Sequence, residues 1–360
     1  MKPLSIAFFG SSLVSAYWNG AATYYRGILQ ALAARGHRIT FYEPDAFDRQ
    51  AHRDIPDPSW ARVVVYPING TGGVQRALDD AHRSDLIVKA SGVGAFDSLL
   101  EAQVPAIKRP AALAVFWDVD APATLDRIAA NPNDPFGPLI PAYDMVLTYG
   151  GGPPVVAGYQ RLGAQVCVPI YNGLDPATHH PARPDPRFAC DLGLIANRLP
   201  DRERRIDEFF LAVAADLPRH KFVLGGNGWS DKGLPPNVSY VGHVYTRDHN
   251  AFNVSARAVL NVSRDSMAAY GYSPATRVFE AAGTGSCIIT DAWEGIGEFF
   301  EPGREILVAP NGPAVVDILT CLTAQEARRI GEAARGRALA EHSYERRVDV
   351  LELALKGRLA

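Results

Sequence analysis

Short apolar runs alternate with amphipathic stretches along this chain, and the alternation starts twice. From the N-terminus, SIAFFG (5–10) reads as a buried strand, AATYYRGILQALAARG (21–36) as an amphipathic helix closed by Gly36, and HRITFYEP (37–44) as a second strand. Together they make a βαβ unit. Further strands are expected at ARVVVYP, DLIVKAS, LAVFWD, DMVLTYG and AQVCVPI. These runs are apolar on both faces and separated by helical or turn-rich stretches, as a parallel sheet covered on both sides requires. The segment PIYNGLDPATHHPARPDPRF is too dense in proline to continue either element type. After it the pattern begins again, with ACDLGLIAN, KFVLGGNG, VSYVGHV, AVLNVSRD and CIITD as strands and DRERRIDEFFLAVAADLP as a helix. The fold class is therefore α/β, with two Rossmann-like doubly wound domains facing a cleft. Their expected bounds are 1–170 and 189–340, joined by a proline-rich linker at 171–188. The last stretch has helical spacing with a break near His342 and Ser343, so that 341–360 forms a helix packing back toward the first domain.

Length supports two domains, because 360 residues exceed what one hydrophobic core usually holds. Thirty-six Lys plus Arg against 39 Asp plus Glu give a net charge of −3, with no like-charge block. Nothing in that balance attracts nucleic acid or an anionic membrane. Cys167, Cys190, Cys287 and Cys321 lie far apart without metal-ligand spacing, which fits buried thiols in a reducing, cytoplasmic setting. The N-terminal apolar run is cut short by Gly10, Ser11 and Ser12, too early for a signal peptide, and no segment is long and apolar enough to span a bilayer.

In open parallel sheets ligands gather at the carboxyl ends of strands, so the loops there carry the chemistry. The first, GSSLVSAYWNGAA, offers Gly10, Ser11, Ser12, Asn19 and Gly20 as donors for a phosphate or sugar hydroxyl. A dinucleotide site would need G-x-G-x-x-G here, and that pattern is absent although Glu43 sits where an acidic ribose ligand would fall. The second, FWDVDAP, places Asp118 and Asp120 after an apolar strand. Such carboxylates can serve as a general base, hold a metal, or cap the turn at Pro122. The third, LGGNGWS, lets the main chain approach a ligand at Gly225, Gly226, Asn227 and Gly228, or simply makes a tight turn. At DRERR, Arg202, Arg204 and Arg205 read mostly as a solvated face.

The fourth loop leads into SPATRVFEAAGTGSCIITD (273–291). Ser273 is expected as N-cap and Pro274 as first helical residue, opening a helix N-terminus that attracts anions. Arg277 and Glu280 lie one turn apart on this helix. They form either an i,i+3 salt bridge or a ligand pair, the Arg for a diphosphate and the Glu for ribose hydroxyls.

The run VFEAAGTGSCIITDAWEGIGEFFEPGREILV resembles the C-terminal domain of group 1 glycosyltransferases, and in particular the CgeB-like branch that includes spore-maturation proteins. YWNGAATYYRGILQALAARGHRITFYEPD resembles the N-terminal domain of that branch. The most specific part is the R-x-x-E-A-x-x-x-G block with the T-D strand end that follows. The resemblance implies a GT-B fold with an acceptor-side first domain and a second domain that holds a nucleotide-sugar donor. It implies a ribose contact for Glu280 and a diphosphate contact for Arg277, beside Tyr272 and Ser273, and neither metal nor other cofactor. The family's E-x7-E pattern has a glutamate where this chain has Tyr272, a departure at the first of the two acids. The expected activity is transfer of a sugar from a nucleoside diphosphate to an acceptor of unknown identity, with Asp118 or Asp120 as base. A nucleotide-sugar epimerase on the same fold and a non-catalytic sugar-binding or structural protein are the alternatives.

Overall fold

A computed structural model describes residues 1–358. The chain divides into two compact units, Met1–Asn172 with the segment from Tyr344 onward, and Gly173–Ser343. The stretch from 173 to 188, expected as linker, thus lies within the second unit, where Leu174 bridges to Ser343 and Pro186–Phe188 form a short 3-10 turn.

Among the described residues the first unit holds a seven-stranded parallel sheet: β1 Ser5–Phe9, β2 Arg38–Pro44, β3 Ala61–Tyr66, β4 Leu86–Ala90, β5 Leu113–Asp118, β6 Met145–Thr148 and β7 Cys167–Pro169. The spatial order is β3-β2-β1-β4-β5-β6-β7, with β1 pairing in parallel to both β2 and β4. The second unit repeats the arrangement with β8 Cys190–Ile195, β9 Phe222–Gly225, β10 Val238–Gly242, β11 Ala256–Asn261, β12 Ile288–Asp291 and β13 Leu307–Ala309, ordered β10-β9-β8-β11-β12-β13. Strand order reverses between β1 and β4 and between β8 and β11. These are the switch points at which loops from opposite directions diverge and leave a crevice.

Continuous burial of β1, β4, β5 and β6 follows from helices on both faces. One face of the first unit is closed by the helix Tyr344–Leu355, whose Tyr344, Val348, Leu351 and Leu355 join the core with Tyr24, Ile28 and Phe8. Gly27 makes this crossing possible: a Cβ there would lie 2.1 Å from the Tyr344 ring. His37 Nε2 pairs with Glu352 at 3.0 Å while its Nδ1 accepts from the Leu4 amide, and Arg35 bonds Asp349 and Glu352. The helix break falls where the sequence puts it, between Glu341 and Tyr344.

Three local features differ from expectation. The strand read at AVLNVSRD stops at Asn261, and Asp265–Tyr270 forms a short helix, because the polar NVSRD stretch has no apolar face to bury. The helix read from 201 to 218 is broken at its middle by a π-helical turn, Asp207–Leu211. Cys321 is exposed rather than buried, since it ends the helix Gly312–Cys321, whereas Cys167 and Cys287 sit in strand-associated core.

Candidate functional site

In the second unit the helix Thr276–Thr284 begins near the switch point. It does not begin as expected. Ser273 donates its hydroxyl back to the Gly271 carbonyl, and the chain stays extended through Ala275, which is the N-cap and offers no side-chain bond. The reason is the preceding turn: Gly271 and Tyr272 both have left-handed backbone, φ +70° and +46°, and Tyr272 is tied to Glu294 by N–H to carbonyl at 2.6 Å and by its hydroxyl at 3.3 Å. The helix N-terminus is therefore left without a side-chain cap, the condition under which its amides and dipole favour an anion.

Arg277 and Glu280 lie in the first turns of this helix. Among the described residues no ion pair within 4.0 Å joins them, so the salt bridge that would explain both without a ligand is not formed. Burial lowers the Arg277 pKa, and the nearby Glu280 charge opposes the shift. Glu280 is only 9% exposed, with His179 Nε2 at 3.9 Å from its Oε1. Both nitrogens of the His179 ring lack a hydrogen-bond partner although the residue is 2% exposed. Gly283 brings this segment against the helix: a Cβ there would lie 2.8 Å from the His179 carbonyl and 2.3 Å from Leu174. His249, on helix Thr246–Ser255, stacks on His179 with ring centroids 6.0 Å apart and bonds the Val244 carbonyl at 3.2 Å. Burial holds its pKa below the ordinary histidine value, against the opposing charge of Glu280.

The glycine loop adjoins this group through the end of β10. Gly226 (φ +118°) donates to the Gly242 carbonyl, and its Cβ would collide with the Ala196 carbonyl at 2.1 Å, so only glycine fits. Gly225 packs on Val244, the Asn227 amide donates to Asn197 Oδ1 (2.9 Å), and the Arg198 amide donates to the Asn227 carbonyl. Gly228 is also left-handed, φ +87°. The loop is thus held to the segment after β8 while Asn227 remains partly exposed, its amide 3.4 Å from His243.

One acid of the same region is structural. Asp291, at the T-D strand end, is fully buried and accepts from the Ser263 amide and from Arg205 at 2.6 Å; burial raises its pKa, which Arg205 and Ser263 oppose. It fixes the loop after β11. Of the DRERR arginines, Arg205 serves that anchor, Arg202 donates to the Asn197 carbonyl, and Arg204 is exposed.

In the first unit Asp118 ends β5 with 0% exposure. Its Oδ2 takes the Tyr159 hydroxyl and its Oδ1 accepts from the Asp120 amide at 2.9 Å. Both oxygens of Asp118 are thus engaged within the unit, so that a role as base would require the Tyr159 contact to open. Burial and the Asp118 charge raise the Tyr159 pKa, and the same two causes push Cys167 up to about 12. Asp120, the N-cap of helix Ala121–Ala130, is partly exposed.

The loop after β1 also turns inward. Ser11 Oγ donates to Asn19 Oδ1, Asn19 Nδ2 donates to the Ser12 and Ser15 carbonyls, and Glu43 accepts from Ser12 Oγ and the Leu13 amide. These side chains are consumed in holding the loop, and Glu43 has the role of its buried anchor rather than a ribose ligand. Gly10 is required by Phe41, whose ring would lie 2.5 Å from a Cβ, and Gly20 is exposed with open space around it.

What the sequence reading missed is of two kinds. His179 stands in the proline-rich segment and His249 on the helix Thr246–Ser255; no spacing links them, because the fold alone brings them to Glu280. Trp18 (46% exposed) and Phe47 (58%) are large aromatic side chains left in solvent on left-handed backbone, φ +48° and +58°, after β1 and β2. Aromatic residues rarely occupy that region, and the Y-W pair in a glycine-containing loop was the only signal available.

Comparison with known proteins places these observations. Residues 202–352 match the model of a family described as glycosyl transferase-like. Comparison with curated proteins finds no match. Among solved structures, sucrose-phosphate synthase from Thermosynechococcus elongatus is similar with TM-score 0.70 and 16% identity over 97% of this chain and 98% of that one. Anabaena HepE in complex with UDP-glucose gives 0.69 and 15% over 98% and 99%, and AviGT4, a glycosyltransferase involved in avilamycin A biosynthesis, gives 0.64 and 17% over 99% and 98%. The two parallel sheets with their flanking helices are those of the GT-B architecture.

Proposed function

We propose that this chain is a glycosyltransferase that moves a sugar from a nucleoside-diphosphate donor to an acceptor hydroxyl. The glycosyl transferase-like match over 202–352 and the GT-B neighbours support that activity. Within the family, the R-x-x-E-A-x-x-x-G block at 277–285 supports a CgeB-like placement. No helix among the described residues is long and apolar enough to cross a membrane, and a cytoplasmic location is the reading we adopt.

The observation that carries the donor site is the pair Arg277 and Glu280 on an uncapped helix start, close together yet not bonded to each other. Arg277, partly desolvated, offers a planar cation to the diphosphate, reinforced by the amides of the helix's first turn. Glu280 accepts from the two ribose hydroxyls, and the base or sugar meets the tip of the glycine turn at Asn227 and Gly228, the two residues of it that reach solvent. As the donor bond breaks, negative charge grows on the leaving phosphate. Arg277 and the helix dipole are aimed at that charge, so they stabilise the transition state more than the bound donor. A cation and N–H donors suffice for this, so no metal is required by the assignment. The acceptor is taken by the first unit. Asp120, more exposed than Asp118, is the carboxylate we assign to receive the acceptor proton if the reaction inverts configuration; if it retains, the leaving phosphate can take the proton instead.

HepE carries UDP-glucose, so a uridine nucleotide heads the titration series of UDP, GDP, dTDP and CDP, run by calorimetry with EDTA present. One of the four should bind, and Glu280→Gln should weaken it by about 1.5–3 kcal/mol, the worth of a charged hydrogen bond. Silence from all four nucleotides would leave the non-catalytic reading; binding untouched by the substitution would put the ribose elsewhere. Turnover of the donor sugar to an isomer without any acceptor would favour the epimerase.

A further inference from the structure

We infer that His179, His249 and Glu280 form a binding site for a zinc-class divalent cation, filled when no nucleotide occupies Glu280. The three residues offer two imidazole nitrogens and one carboxylate oxygen within 4.8 Å of one another. The second observation is the state of His179. A ring 2% exposed with neither nitrogen bonded is a buried polar group left unsatisfied, an arrangement that normally costs free energy unless something fills it. A neutral imidazole with its lone pair free is what a metal ion takes. His249 is prepared in the same way. Its bond to the Val244 carbonyl keeps the proton on Nε2 and leaves Nδ1 basic, the outer-shell arrangement that orients metal-binding histidines.

Two histidines and one glutamate are a ligand set suited to zinc, with a fourth position open to water or a ligand. Tetrahedral bonds of about 2.0–2.1 Å put ligand atoms roughly 3.3 Å apart, so from a present spacing of up to 4.8 Å the side chains must close by at most about 1.5 Å. Rotation of the Glu280 carboxylate and a shift of the His249 side chain that keeps its Val244 bond supply it, since both residues are less enclosed than His179. A cation held there would draw on the same carboxylate that we assign to ribose. Metal and nucleotide would then exclude each other, a consequence that rests on the donor reading above, whereas the metal site itself does not.

The test uses the full chain, stripped with EDTA and exchanged into chelator-free buffer. Zinc chloride titrated by calorimetry should show one tight equivalent, and cobalt chloride should give the intense visible absorption of tetrahedral nitrogen–oxygen ligation. His249→Gln, at a partly buried position, and His179→Asn should each weaken zinc at least about tenfold and abolish the cobalt band while leaving the urea midpoint close to wild type. Absence of the tight equivalent, or zinc uptake unchanged in both variants, overturns the site. In a parallel arm, nucleotide titrated with EDTA present reports on the donor reading alone. With zinc present at saturation, the apparent nucleotide Kd should rise at least about tenfold; an unchanged Kd would remove the competition and leave a metal site independent of the donor.

Discussion

At the residue scale, Asp54 shows how a single carboxylate can organise a loop. It accepts two bonds from Arg26, at 2.8 and 2.7 Å, and one from the Ala16 amide, tying helix Ala22–Ala34 to the loop after β1. Burial pulls its pKa up, but Arg26 and the Ala16 amide outweigh that and hold it below its ordinary 3.8. The sign then follows: the ionised form is favoured by folding, so its stabilisation is complete above the unfolded-state value and disappears as pH falls through the folded one. Urea midpoints measured downward from pH 5 should fall more steeply in the wild type than in Asp54→Asn, and parallel curves would remove Asp54 from the account. The two aspartates after β5 separate in the same kind of experiment. Asp118→Asn should destabilise the protein by about 1–3 kcal/mol, because it disturbs a fully buried pair with Tyr159. Asp120→Asn should leave the midpoint near wild type and, in an inverting reaction, lower turnover without changing donor Kd. A large stability loss at Asp120 would make it structural too.

At the element scale, the informative piece is helix Tyr344–Leu355. Its apolar residues recur at 344, 348, 351 and 355, one face of a helix, and that face is buried in the first unit's core. Leu351→Ala should cost about 2–5 kcal/mol, the range for a large-to-small change in a core that relaxes only partly. Gly27→Ala tests the same contact from the other side. A methyl group driven to 2.1 Å from Tyr344 must push the two helices apart, for about 1–3 kcal/mol, even though alanine has the better intrinsic helix propensity. A stabilised Gly27→Ala, as propensity alone would give, would show that the crossing is looser than its geometry.

At the scale of the whole molecule, the chain leaves the first unit at Asn172, builds the second, and returns at Tyr344 to complete the first. The first unit therefore lacks part of its core until the last residues are in place. A chain truncated after Ser343 should lose the first unit's cooperative unfolding transition. Every residue assigned to the donor lies between 173 and 343, so nucleotide should still raise the melting temperature of what remains. About 2.7 kcal/mol of linkage is expected at a hundredfold excess over Kd. Loss of the nucleotide response together with the first transition would mean that the second unit does not hold the donor alone.

Sequence by itself determined the two α/β halves, the strand and helix succession, and the break before Tyr344. Each rests on local hydrophobic periodicity or on proline and glycine, which act on the backbone where they stand. It also singled out Arg277 and Glu280 as one helical turn apart. What it could not decide is how each polar group is satisfied, because partners come from distant strands. Asp118 and Asp120 look alike in DVD, yet Tyr159 encloses one and not the other. Ser11, Ser12 and Asn19 look like ligand donors until Glu43 and the loop's own carbonyls take their bonds. His179 reads as part of a proline-rich connector and becomes a buried, unbonded ring beside Glu280 only because Gly283 lets that segment press against the helix. Burial and long-range pairing set the free energy of a polar side chain, and both exist only in the folded chain.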